Sequence, residues 1–124
     1  MEQSPFKSTS GLARIRAAFG YSMRGLALAW RYEHAFRQEL FLAVPLLITA
    51  AVLQLTAIER VLLIGSVVLV LIVELLNSAI EAVVDRVSLE RHELAGRAKD
   101  LGSAAVFVAV ALCGLTWGLV LFPR

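Results

Sequence analysis

The chain has 124 residues, 59% of them hydrophobic and 18% charged, with a net charge of +2 and a mean hydropathy of +0.77. A water-soluble domain is nearer half apolar and a quarter charged, so this excess has to be accommodated outside water. A single cysteine, Cys113, excludes a disulfide-stapled secreted module, and the clustering of the charges excludes a soluble enzyme or a two-domain design.

In chain order, residues 1–10 read as a frayed, polar start. Gly11 to about Arg37 reads as an amphipathic helix, with Ile15, Phe19, Leu26, Trp30 and Phe36 interleaved with arginines. Such a helix lies in the membrane interface, its basic face toward anionic headgroups. Gly20 and Gly25 are expected to break or bend it. Residues 1–38 thus form a tail and a surface helix. The absence of an early apolar run argues against a cleaved signal.

Three apolar runs follow. Leu40 to Ile58 is 19 residues without a charge, Val61 to Val84 is 24 with only Glu74 and Glu81, and Leu101 to Pro123 is 23 without a charge. At 1.5 Å per residue they reach roughly 28, 36 and 34 Å, against a hydrocarbon core of about 30 Å. The predicted spans are 40–58, 61–85 and 101–122, in one membrane domain. Pro45 is expected in the first turns of span one, where proline costs least. The turn Gln54–Glu59 makes spans one and two antiparallel neighbours. Residues 86–100 form a segment on the same side as the surface helix. Ten of the twelve basic residues fall on that side, so it is expected to be cytoplasmic, with the N-terminus in and the C-terminus out. No nucleic-acid partner is expected.

Span two carries the chemistry. At about 100° per residue, Glu74, Asn77, Glu81 and Asp85 share an arc of about 80°, and Glu74 sits about 16 Å along the axis from Asp85. A carboxylate at mid-membrane costs roughly 2.5–3.5 kcal/mol on insertion scales, so an intramembrane acid is a functional-site hypothesis by default. The competing structural reading is an interhelical hydrogen-bond seam. A row of acids running from water into lipid suits a shallow metal-holding carboxylate and a deeper proton acceptor. That arrangement joins a soluble phosphate donor to a lipid hydroxyl. The segment Glu90 to Asp100 closes on the same side; Lys99 there can reach phosphate and Asp100 can orient a donor. His92 reads as a surface residue. Glu33 reads as an i,i+4 partner of Arg37 that also stands at the level of Glu81. Trp30 and Trp117 read as belt or packing residues, Cys113 as plain packing, and Gly114 with Gly118 as a spacing that permits close helix approach. Neither a P-loop nor protein-kinase motifs are present, so any nucleotide needs a different phosphate cradle. From these residues alone, a small proton or ion transport subunit and a membrane scaffold remain open beside a lipid kinase.

The block Glu-Leu-Leu-Asn-Ser-Ala-Ile-Glu-Ala-Val-Val-Asp-Arg (74–86), with His-Glu-Leu-Ala-Gly-Arg-Ala-Lys-Asp-Leu-Gly-Ser-Ala-Ala-Val (92–106), Ala-Phe-Arg-Gln-Glu (35–39) and Gly-Tyr-Ser (20–22), resembles the prokaryotic integral-membrane diacylglycerol kinases. The likeness runs from about Gly11 to Leu121. It implies an all-α homotrimer in the bacterial inner membrane, with active sites shared between neighbouring chains. Mg-ATP would be the donor, diacylglycerol the acceptor and phosphatidic acid the product. By the same resemblance Glu74 is the general base and Asn77 stands beside it, while Glu33 and Glu81 hold Mg²⁺. Arg14, Tyr21, Glu33, Glu81, Glu90, His92, Lys99 and Asp100 line the ATP site. Ala35, Arg37, Glu39, Arg60, Glu74, Ser103 and Trp117 meet the lipid substrate. Phe19 and Tyr32 depart from the family pattern. Related enzymes phosphorylate undecaprenol, but the 35–39 and Leu-Gly-Ser-Ala-Ala (101–105) blocks are more like the diacylglycerol group.

Overall fold

The structure, a computed structural model, describes residues 10–87 and 92–122. They form four helices: α1 (Gly11–Tyr32), α2 (His34–Val52), α3 (Ala57–Val87) and α4 (Glu93–Leu121). The last three are long and apolar enough to cross a membrane. The polar start, as read over residues 1–9, lies outside the described residues.

Ser10 opens α1 by accepting the Ala13 N–H at 3.0 Å, a side-chain cap on an otherwise unpaired donor. The helix then runs unbroken through Gly20 and Gly25, contrary to the expected break. A helix interior tolerates single glycines at about 1 kcal/mol each, and four residues after Gly25 the buried Ala29 anchors this part of α1. The break falls instead at Glu33, whose extended backbone (φ −105, ψ 101) is both the end of α1 and the start of α2. Arg37 secures this elbow: Nη1 donates to the carbonyls of Trp30 at 2.7 Å and Arg31 at 3.1 Å. The expected side-chain pair with Glu33 is therefore replaced by a cation on the open carbonyls of a helix C-terminus, where backbone partial charge is negative.

Span one starts six residues earlier than 40, because the 34–39 stretch continues the helix. Pro45 accordingly lies inside α2 rather than in its first turns. Its missing N–H leaves one carbonyl a turn back without its usual donor. The α2–α3 connection is pinned at both ends. Arg60 Nη1 donates to Ala50 and Ala51 carbonyls at 2.6 and 2.9 Å, and Nη2 to Leu55 at 3.4 Å. Thr56 and Glu59 form a reciprocal capping box: Thr56 N–H to Glu59 Oε1 at 2.9 Å, Glu59 N–H to Thr56 Oγ1 at 3.1 Å.

The helix α3 is the centre of the packing, touched by α4 along much of its length and by α2 less extensively. Phe36, Ala43 and Ala50, seven residues apart, are the buried stripe of α2; Leu63, Ser66, Val67, Glu74 and Asn77 are that of α3. The stripe is poor in large side chains. Leu42, Phe107 and Leu119 point outward and are 69%, 74% and 63% exposed, as expected where the surrounding solvent is hydrocarbon and small residues let helices approach. Trp117 clasps α4 to α3 by donating Nε1–H to the Leu63 carbonyl at 3.2 Å. Ser66 bonds the same carbonyl at 2.9 Å and meets Cys113 Sγ at 3.6 Å. Side chains added at Gly114 and Gly118 would meet nothing within 4 Å, so the expected close approach within the chain is not there. It occurs at Gly102.

Candidate functional site: the acid row on α3

Helix periodicity alone puts Glu74, Asn77 and Glu81 on one face, and packing turns that face inward. Glu74 and Asn77 are buried, 6% and 9% exposed, and Glu81 is half-buried. Exposure along the row therefore grows from Glu74 toward the Val87 end of α3. Asn77 Nδ2 donates to Glu81 Oε1 at 3.3 Å, which orients that carboxylate and leaves its second oxygen outside the bond. Glu39, two residues beyond Arg37 and half-buried, brings its carboxyl within hydrogen-bond reach of Glu74, while its Oε2 is buried without a donor. The charges of Glu81 and Glu33 also act on Glu74. Four acidic side chains from the elbow, α2 and α3 thus share one electrostatic neighbourhood.

At the open end of the row, Lys99 Nζ pairs with Asp85 Oδ1 at 2.7 Å, both side chains about half exposed. This cross-helix pair ties the start of α4 to the end of α3, and Glu81 also acts on Lys99. The sequence alone suggests phosphate for Lys99 and gives Asp85 only a place on the acid row. The available signal was that both stand at the same water-facing level. His92 Nδ1 accepts the Leu94 N–H at 3.1 Å and caps α4, a role invisible without the helix boundary; Nε2 stays outward of that bond. Asp100 and Ser103 are exposed on α4 beside the buried Gly102. Glu90 lies outside the described residues.

Other expected site residues stand elsewhere. Arg60 and Trp117 belong to the opposite half of the bundle, each bonded to backbone carbonyls. Ala35 is exposed near the start of α2. A groove of ≈ 650 Å³ opens between the later half of α1 and α3, lined by Ser22, Ala29, Tyr32, Glu33, Leu75 and Ser78 among others. Arg14 and Tyr21 lie earlier on α1 and do not line it; Arg24 stacks over the Tyr21 ring at 4.7 Å. On α3 the groove is lined by Leu75 and Ser78 rather than by the acid row, and Glu33 is the acid that lines it. Among the described residues, no three His, Cys, Asp or Glu side chains converge on one point suited to a metal.

The family model described as "Prokaryotic diacylglycerol kinase" matches residues 20–121. The chain belongs to the prokaryotic diacylglycerol kinase family. It is 55% identical over 117 residues to the diacylglycerol kinase of Escherichia coli K12, covering 94% of this chain and 96% of that one. It is 54% identical over 121 residues to that of Pseudomonas aeruginosa, covering 98% of each. With the diacylglycerol kinase of Haemophilus influenzae the identity is 52% over 114 residues, 92% of this chain and 97% of that one. A diacylglycerol kinase that spans a bilayer has to bring a lipid together with a water-soluble phosphate donor, and the acid row runs along α3 from a buried to a half-buried position.

Proposed function

We propose that this chain transfers the γ-phosphoryl group of ATP to the hydroxyl of diacylglycerol, giving phosphatidic acid and ADP, at the Glu74–Asn77–Glu81 row. The observation that carries the reading is the row itself: a buried acid, an amide and a half-buried acid along one face of α3, in a member of this family. In the proposed orientation the Val87 end of α3, the start of α4 and α1 face the cytoplasm of a bacterial inner membrane, following the excess of basic residues there. The site is proposed to be completed across subunits of a homotrimer; among the described residues of one chain, no three metal-ligating groups come together.

Glu74 lies deep enough to reach a lipid hydroxyl and takes its proton as the oxygen attacks the γ-phosphorus; the bond to the ADP oxygen breaks as the new one forms. Asn77 fixes the carboxylate next to it. Glu81, and Glu33 from the elbow, would hold Mg²⁺. The donor set fits a hard cation that keeps water and phosphate ligands and takes one or two carboxylates, and Glu81 already has one oxygen oriented by an amide. Magnesium, when bound, neutralises phosphate oxygens. Lys99 adds a fixed positive charge at the same level, positioned by Asp85, and Arg14, Tyr21, Glu90, His92 and Asp100 complete the proposed ATP site. Ala35, Arg37, Glu39 and Ser103 are the proposed lipid contacts near the row.

Purified protein in mixed micelles with γ-labelled ATP and, separately, diacylglycerol or undecaprenol tests the reading. Labelled phosphatidic acid is the expected product. Undecaprenyl phosphate alone would overturn the acceptor, and no labelled lipid would overturn the kinase.

A further inference from the structure

Of the eight glycines, Gly102 is the one where an added Cβ would meet a neighbour: it would collide with Asn77 Oδ1 and lie 3.2 Å from Asn77 Cγ, but only at ordinary contact, 3.9 Å, from Asn77 Cβ. Gly102 is buried on the face of α4 turned to α3. Asn77 Oδ1 is itself buried with no hydrogen-bond donor. The amide therefore has its oxygen in the space left by the missing side chain, beside the Gly102 Cα, and its nitrogen on Glu81. Turning the amide over would set its oxygen against the Glu81 carboxylate, so the orientation is fixed from both ends. A weak Cα–H···O contact is the interaction open to that oxygen.

We propose that Gly102 is a positioning residue for the reaction: by carrying no side chain it seats Asn77, and Asn77 in turn aims Glu81 at the metal. This rests on the reading of Glu81 as a magnesium ligand. Groups that orient a ligating carboxylate typically change metal affinity about 10–100-fold when removed. The collision is with the movable end of a side chain rather than with backbone, so Gly102→Ala is accommodated by Asn77 rotating away and not by the helices separating. The damage appears in the site, with the fold retained.

Asn77 is the chain's only asparagine, so asparagine-selective ¹⁵N labelling gives a single side-chain amide signal in the full protein in micelles. Gly102→Ala is expected to move that signal and to raise the Mn²⁺ concentration at half-saturation about tenfold, read by electron paramagnetic resonance with a non-hydrolysable ATP analogue. Gly96→Ala, on the same helix with nothing within 4 Å of an added Cβ, should change neither. In an Asn77→Ala background, Gly102→Ala should add no further loss of Mn²⁺ affinity, because the colliding atoms are gone. An unmoved amide signal overturns the proposal, as does an equal extra loss in the Asn77→Ala background. If Gly102→Ala fails to fold alone but folds with Asn77→Ala, the seat is supported; failure in both backgrounds overturns it. Glu81→Gln binding Mn²⁺ like the unmodified protein overturns the metal reading instead, and the Asn77 signal still decides the seating.

Discussion

Replacing Glu74 by glutamine separates chemistry from packing. Gln has nearly the same volume and keeps a polar end that can bond Glu39, so the buried stripe of α3 should survive; Glu74 is only 6% exposed, and a large-to-small change there would confuse the result. What glutamine lacks is a carboxylate to accept the lipid proton. General-base catalysis is worth about 10²–10⁴-fold, equivalent to about 3–5.5 kcal/mol of activation free energy. Turnover of diacylglycerol by Glu74→Gln should fall by that factor while KM for ATP changes little, since Glu74 is the deep member of the row. The assay is ADP release coupled to NADH oxidation in mixed micelles, with thermal unfolding measured in parallel. Turnover within about threefold of the unmodified protein, at unchanged stability, would refute the assignment of Glu74 as base.

Arg60→Met removes guanidinium bonds to Ala50, Ala51 and Leu55 carbonyls and should lower stability by about 2 kcal/mol, seen as a lower denaturant midpoint, with KM for diacylglycerol unchanged; a raised KM at unchanged stability would make Arg60 a lipid contact instead. Asp85→Asn breaks a half-exposed pair, so the unfolding midpoint should hardly move, while steady-state kinetics show a several-fold higher KM for ATP as Lys99 loses its anchor. Trp117→Phe removes the Nε1–Leu63 bond and should cost about 0.6 kcal/mol, the average for such bonds between membrane helices, measured by unfolding in detergent with turnover retained.

Much of this molecule is legible from local physics. The three apolar runs announce three helices long and apolar enough to cross a membrane, though not their ends, and the helical period puts Glu74, Asn77 and Glu81 on one face, because both depend only on residues close along the chain. Helix ends were read less well. Spacing pairs Arg37 with Glu33, yet a helix terminus with open carbonyls attracts a guanidinium more directly. Gly20 and Gly25 look like breaks, but a single glycine in a helix interior costs only about 1 kcal/mol and α1 runs through both.

The partners of the acid row came only with the tertiary arrangement. In a helix that is apolar all round, nothing in the composition says which face meets which neighbour, so GxxxG spacing pointed to Gly114 and Gly118 while the actual close approach is Gly102 against Asn77. The pairing of Glu39 with Glu74, and of Lys99 with Asp85, likewise joins residues 35 and 14 positions apart through the angle at which two helices cross. Sequence therefore determined that Glu74, Asn77 and Glu81 share one face of a helix long and apolar enough to cross a membrane. Helix packing decided which groups face them, because a side chain's neighbours across an interface depend on rotations that local periodicity leaves free.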